Sequence, residues 1–251
     1  MAQDAEKEGG LLSIFYRLPA LFCIWINLLV FPLAEAATAE PPESGHQSLV
    51  VVDGYFQYQA GAWAKYQIHD LKKNERSTIV FSTLERTEKE GGPAIWMEIA
   101  VTPEQQDPVI TRVLLEETPQ GPGQPLEIIV QPHGMTPFII PKSFLEKAQA
   151  EPQSAIAIKP HESTAKPITI KTSKRQLSAI QVEATDEQGG PVKAVLSNEV
   201  PPLGLVRAET SDLTMKLKSF GKNAQTKIEG EPINFYLWLT LQVGKGVTGG
   251  D

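Results

Sequence analysis

Four histidines, His46, His69, His133 and His161, have the chemistry for proton transfer or metal ligation, but they stand far apart in the chain. No H-E-x-x-H pair sets two of them on one helix face, and no G-x-S-x-G turn presents an activated serine. Isolated histidines of this kind read as solvated or hydrogen-bonded structural residues. Glu85, Glu88 and Glu90, and the pair Glu116 and Glu117, carry the carboxylates that glycoside hydrolysis uses in twos. They fall at strand ends and turns among lysines and arginines, which makes them a solvated rim. Residues 244–250, GKGVTGG, lack the G-x-x-x-x-G-K-[ST] spacing of a phosphate loop and read as a flexible tail. The one cysteine, Cys23, follows Phe22 inside an apolar run, whereas a lipid-attachment cysteine needs a small residue before it. The chain therefore reads as non-enzymatic, with no catalytic residue, cofactor or metal assigned.

The elements that position these residues begin with an export segment. Residues 18–33 are almost continuously apolar and are followed by two A-x-A sites, ending at Ala36 and Ala39, as a signal peptide and its cleavage region require. The run is short for a membrane span and is interrupted by Pro19, Asn27 and Pro32. The acidic residues Asp4, Glu6 and Glu8 are foreign to a signal n-region, so translation is expected to start near Leu11. The mature protein is placed in the periplasm or outside the cell; retention of the uncleaved segment as an inner-membrane anchor is the alternative. Cleavage removes Cys23, and with it disulfides, thiol catalysis and cysteine-based zinc sites.

Residues 37–59 form a Pro-, Glu- and Ser-rich linker and entry segment, and 60–243 an antiparallel β domain. Residues 244–251 follow as the tail. Period-2 alternation recurs through the domain. Ile95, Met97, Ile99 and Val101 share one strand face opposite Trp96, Glu98 and Ala100, and Ala64, Tyr66 and Ile68 share another. Similar runs cover residues 78–84, 109–115, 126–131, 168–172, 177–184, 192–196 and 213–220. Turn chemistry separates them, as at Lys73-Asn74-Glu75 and Glu90-Gly91-Gly92-Pro93. One helix is expected over 141–150, an extended crossing loop over 151–167, and a closing strand over 233–243. The fold class is mainly β, a curved antiparallel sheet or incomplete barrel with one covering helix.

The segment Ser197-Asn198-Glu199-Val200-Pro201-Pro202-Leu203-Gly204-Leu205-Val206, with the strands on either side and the opening Gly61-Ala62-Trp63-Ala64-Lys65-Tyr66, resembles secreted bacterial β-meander proteins related to the LolA-like half-barrel. That is the fold of periplasmic lipoprotein carriers. The resemblance extends over residues 60–224 and implies an incomplete barrel with a hydrophobic cavity for acyl chains.

With 23 Lys and Arg against 30 Asp and Glu, the formal charge is -7, and no basic stripe is present to neutralise phosphates in a row. Nucleic acid is excluded as a partner. What remains is aromatic and apolar surface: Trp63, Trp96 and Trp238 lie opposite the aliphatic stripes and are the ligand-binding residues this reading selects. The expected ligand is a lipid or a lipoprotein acyl chain, with peripheral membrane contact. The alternative is a cell-envelope scaffold or assembly protein that acts through protein–protein contacts.

Overall fold

The computed structural model describes residues 50–52, 55–89, 91–118, 121–150, 156–158, 165–172, 175–185 and 190–248. The export segment with Cys23, His46, Glu90 and His161 lie outside the described residues. Strands β2 (Trp63–Asp70), β3 (Glu75–Lys89), β4 (Gly92–Pro103), β5 (Val109–Thr118), β6 (Gly121–Pro132) and β7 (Phe138–Ile139) form one antiparallel meander. A second meander is made of β9 (Lys166–Lys171), β10 (Gln176–Thr185), β11 (Pro191–Leu196), β12 (Leu205–Glu209) and β13 (Leu213–Gly221). Pairing of β2 with β13 joins the two into an open sheet of twelve strands, completed by β14 (Ile233–Asn234) parallel to β7.

The alternation that makes these strands also makes the core. Directly opposed residues Ala64, Phe81, Ile99, Thr111, Val130 and Phe138 run as one row across β2 to β7, and none is more than 6% exposed. The row Val182, Ala194, Ala208, Met215 and Ile68 does the same across β10 to β2. Both rows belong to one buried cluster, so the two meanders share an inner face. Burial of each large side chain there contributes roughly 1.5–3 kcal/mol.

The outer face carries a second row, Gly221, Trp63, Ser82, Glu98, Arg112 and Ile129, again directly opposed strand by strand. Glu98 is only 1% exposed, because residues 222–232 cross the outer face above it as a strap. From β13 to β14 is seven strand spacings, about 34 Å if the sheet were flat. The twelve Cα steps from Gly221 to Ile233 reach about 40 Å when fully extended, enough for that width, and the strap turns at Asn223 and Gly230, whose φ values are +64° and +83°. Beyond Lys222, whose carbonyl accepts from Trp63 Nε1–H, it is fastened at three places. Ala224 N–H donates to Gly61 O at 2.8 Å. The Glu98 carboxylate accepts from Thr226 Oγ1 at 2.6 Å and from Lys227 N–H at 3.0 and 3.1 Å. Gln131 donates to Glu229 O and accepts from Glu229 N–H, at 3.0 and 2.9 Å.

Three expectations are corrected here. Residues 233–243 alternate, yet only Ile233 and Asn234 pair as a strand, and Phe235–Thr248 is a helix, called α2 below; the helix α1 covers Lys142–Ala150 as expected. The reason is the partner: β7 offers only Phe138 and Ile139 before Pro141, so beyond Asn234 the backbone has no ladder and must satisfy itself. Asn234 Oδ1 accepts from Tyr236 N–H at 2.9 Å and caps the new helix. Two helices are thus present where one was expected, and α2 takes residues 244–248 out of the expected tail. In addition, β1 (Val50–Val52) lies in the expected linker and pairs in parallel with β8 (Ile156–Ile158) from the expected crossing loop.

Removing the buried acceptor tests the strap. Glu98→Ala is expected to lower the unfolding free energy by about 2–4 kcal/mol in urea titrations, since two or three hydrogen bonds to a charged group disappear. Amide exchange is expected to accelerate first in residues 222–232, ahead of the strands beneath them.

Candidate functional site

A sheet that shares one inner face must curl, and the curl opens a cleft in the second meander. Flat, β9 and β13 would stand four spacings apart, about 19 Å. Instead Ile170 on β9 and Leu217 and Phe220 on β13 line the same cleft of about 660 Å³, inside the range of ligand pockets. Its walls are Gln57 and Gln59 from the entry segment, Asn198, Glu199 and Pro201 from the loop between β11 and β12, and Lys171, Thr172 and Arg175 where β9 gives way to β10.

Each wall is fixed by polar contacts that the local sequence dictates. In the loop, Gly204 N–H donates to Val200 O at 2.7 Å and Ser197 N–H to Gly204 O at 2.8 Å. Gly204 has φ +66°, and a Cβ there would stand 2.7 Å from Tyr55 Cβ. Only glycine allows the turn and the close approach of the entry segment. Gln57 seals that contact, its N–H donating to Pro202 O at 2.8 Å and its Nε2 to Asn198 O at 2.7 Å. Tyr58, next along, receives a hydrogen bond on its backbone carbonyl from Arg86 Nη2 at 2.8 Å, and its hydroxyl oxygen accepts from Thr118 N–H at 3.3 Å.

The lining is divided by chemistry. Ile170, Val206, Leu217 and Phe220 form an apolar floor, while Lys171, Arg175, Lys218 and Lys222 supply four cations against the single carboxylate of Glu199. Arg175 joins the two regions. Its guanidinium lies 4.8 Å from the Phe220 ring centroid, and Nη2 donates to Glu199 O at 3.1 Å. The Glu199 carboxylate accepts from Ser178 N–H at 2.8 Å, with Arg175 Nη1 at 3.9 Å from its other oxygen.

The three tryptophans are not brought together. Trp63 is at the lip of the cleft: its Nε1–H donates to Lys222 O at 3.2 Å, and its ring lies so close to Gly221 that a Cβ there would come within 2.9 Å of Nε1. Trp96 lies on the outer face beneath the Arg112 guanidinium, 4.4 Å from its ring centroid. Trp238 sits in α2, not in a strand, and packs on Phe138 with ring centroids 4.4 Å apart. The carboxylates singled out by their spacing are dispersed as well: Glu85 bonds Arg112 and Glu117 bonds Arg86, both at 2.7 Å. His69 Nε2 is 3.0 Å from Asn74 Oδ1, and His133 is 3.9 Å from Asp107. Among the described residues no three His, Cys, Asp or Glu side chains are grouped to hold a metal ion. No helix of the described residues is long and apolar enough to cross a membrane.

Sequence reasoning missed the cations of the cleft and the buried Glu98. The cations come from separate segments that only the curl unites. Glu98 did leave a signal, one acid within Ile95-Trp96-Met97-Glu98-Ile99-Ala100-Val101, a strand apolar on both faces.

No protein-family profile and no curated protein matches the chain. Among solved structures it is similar to a presumed exported protein with a YmcC-like fold from Bacteroides fragilis. The two are 9% identical over 67% of this chain and 99% of that one, with a TM-score of 0.32, and a likeness at that score carries no argument here.

Burial pushes the Tyr58 phenol up to about 12, with the nearby Glu117 and Glu116 adding to the shift against the hydrogen bond from Thr118. Burial alone raises Tyr66, whose hydroxyl donates to Leu205 O at 2.9 Å. Both are neutral in the fold where an exposed tyrosine would ionise. The stabilising contribution of Tyr58 is complete below pH 10 and is lost as pH rises from there toward 12, and that of Tyr66 is lost only at higher pH still. Absorbance titration of the folded protein is expected to show the phenols of Tyr58 and Tyr66 ionising last, together with unfolding.

Proposed function

We propose that this chain is exported and acts in the periplasm or outside the cell as a non-enzymatic binding protein, holding a hydrophobic ligand in the cleft between β9, β13 and the loop before β12. The acyl part of a lipid or lipoprotein is the class that suits it. The observation that carries this reading is the apolar floor of Ile170, Val206, Leu217 and Phe220 in a cleft of about 660 Å³. Export rests on the apolar residues 18–33 and the A-x-A sites ending at Ala36 and Ala39. The resemblance of residues 60–224 to the LolA-like half-barrel belongs to the same reading, in which an open curved sheet encloses acyl chains. Trp63 does not line the cleft but braces its lip, donating to the carbonyl of Lys222. Glu85 and Glu117 are engaged by arginines, which suits a binding protein better than acid–base chemistry.

A second reading, a scaffold acting through protein–protein contacts, is favoured by α2. Tyr236, Leu237, Leu239 and Leu241 are 37–57% exposed on this one helix.

Uptake of a fluorescent fatty-acid probe separates the two. The binding reading expects saturable uptake that weakens about tenfold in Leu217→Gln and Phe220→Ala, each removing apolar contact with the chain, and is unaffected by Leu237→Ser with Leu241→Ser. Absence of uptake by folded protein, with a single cross-linked protein adduct lost in the α2 variant, would establish the scaffold instead.

A further inference from the structure

We infer, resting on the reading of the cleft as an acyl-binding site, that its ligand is an anionic amphiphile. A phosphate or carboxylate head sits among Lys171, Arg175, Lys218 and Lys222, and the chain lies on the floor of Ile170, Val206, Leu217 and Phe220.

The charge distribution carries this. The whole chain is acidic, at -7, yet the cleft lining holds four cations and one carboxylate. Cations gathered against the sign of the molecule raise the local concentration of anions at the mouth. Glu199 offsets only Arg175, which stands 3.9 Å from one of its oxygens while the other accepts from Ser178 N–H, so three of the four cations in the lining have no acid against them there.

The polar and apolar regions are also contiguous. Arg175 lies over Phe220 itself, and Lys222 follows Gly221 at the end of β13, where Phe220 and Gly221 line the cleft with it. A free inorganic anion would leave the floor uncovered, and a neutral lipid would leave the cations unanswered. A molecule with a charged head and an apolar tail satisfies both.

The test compares three probes on the purified full chain by isothermal titration calorimetry: lysophosphatidic acid, the monoacylglycerol of the same chain length, and inorganic phosphate. The anionic lipid is expected to bind about tenfold or more tightly than its neutral analogue. That gap is expected to close in Lys218→Gln with Lys222→Gln, two exposed positions whose substitution leaves the fold intact. Raising the salt to about 0.5 M is expected to narrow it too, since exposed charges are then screened within a few ångströms. Phosphate at millimolar concentration is expected not to displace the lipid.

Equal binding of the two lipids would overturn the anionic head while leaving the acyl-binding reading in place. Phosphate binding as tightly as the lysolipid would make this a free-anion site and overturn the amphiphile. Binding of neither lipid would remove the acyl-binding reading itself, and this inference with it.

Discussion

A strap that leaves the ladder to cross the outer face can be held only by groups that already stand on the strands beneath it, and the Glu98 carboxylate is the central one. Because β13 pairs in the middle of the sheet and β14 at its far edge, the chain between them has to cross six strands on the outer face. Its backbone leaves the ladder to do so and would be poorly satisfied over an apolar surface. Glu98 accepts from both Thr226 and Lys227, and Gln131 exchanges two hydrogen bonds with Glu229 two strands further on. The strap takes the Glu98 carboxylate out of water and answers it with three hydrogen bonds, and without Glu98 the strap would lose its middle anchor. Arg112 stands directly opposite Glu98 in the ladder, with its guanidinium turned to Glu85 and to the Trp96 ring.

The strap also ties the two ends of the fold to each other. It begins at Lys222, where Trp63 bonds its carbonyl at the lip of the cleft, and it ends by delivering β14 and α2 to the edge at β7. There Trp238 and Phe235 cover Phe138, the last residue of the inner row, while Phe144 of α1 packs edge-on against Phe235. The first meander is thereby closed by aromatic side chains. The second remains accessible through the cleft, whose walls are loops and hairpins held by hydrogen bonds and not by a covering helix.

Much of this architecture was legible in the sequence because strand alternation and turn residues are local signals. Ile95 to Val101 read as a strand and is one, and Asn74, at φ +55°, turns β2 into β3 where the spacing required. The failures have a common physical source in pairing decided elsewhere. Residues 233–243 satisfy both a period of two and a helix that is apolar all round, and only the shortness of β7 decides between them; Asn234 as a helix cap was the local clue. Val50–Val52 and Ile156–Ile158 become strands because of each other, across about a hundred residues. Trp63, Trp96 and Trp238 share a position relative to their stripes but occupy three different places. The cleft is instead formed by a loop set by Gly204 and by cations from two separate segments, which no spacing rule connects.

The most direct measurement is native mass spectrometry of the protein recovered from its own compartment, without added ligand. An ordered charge distribution carrying an extra mass, released on activation and detected as a lipid with an acidic head in negative-ion mode, is the result this account predicts. A folded protein that carries no ligand in any preparation, while still fully competent to assemble with a protein partner, would contradict it.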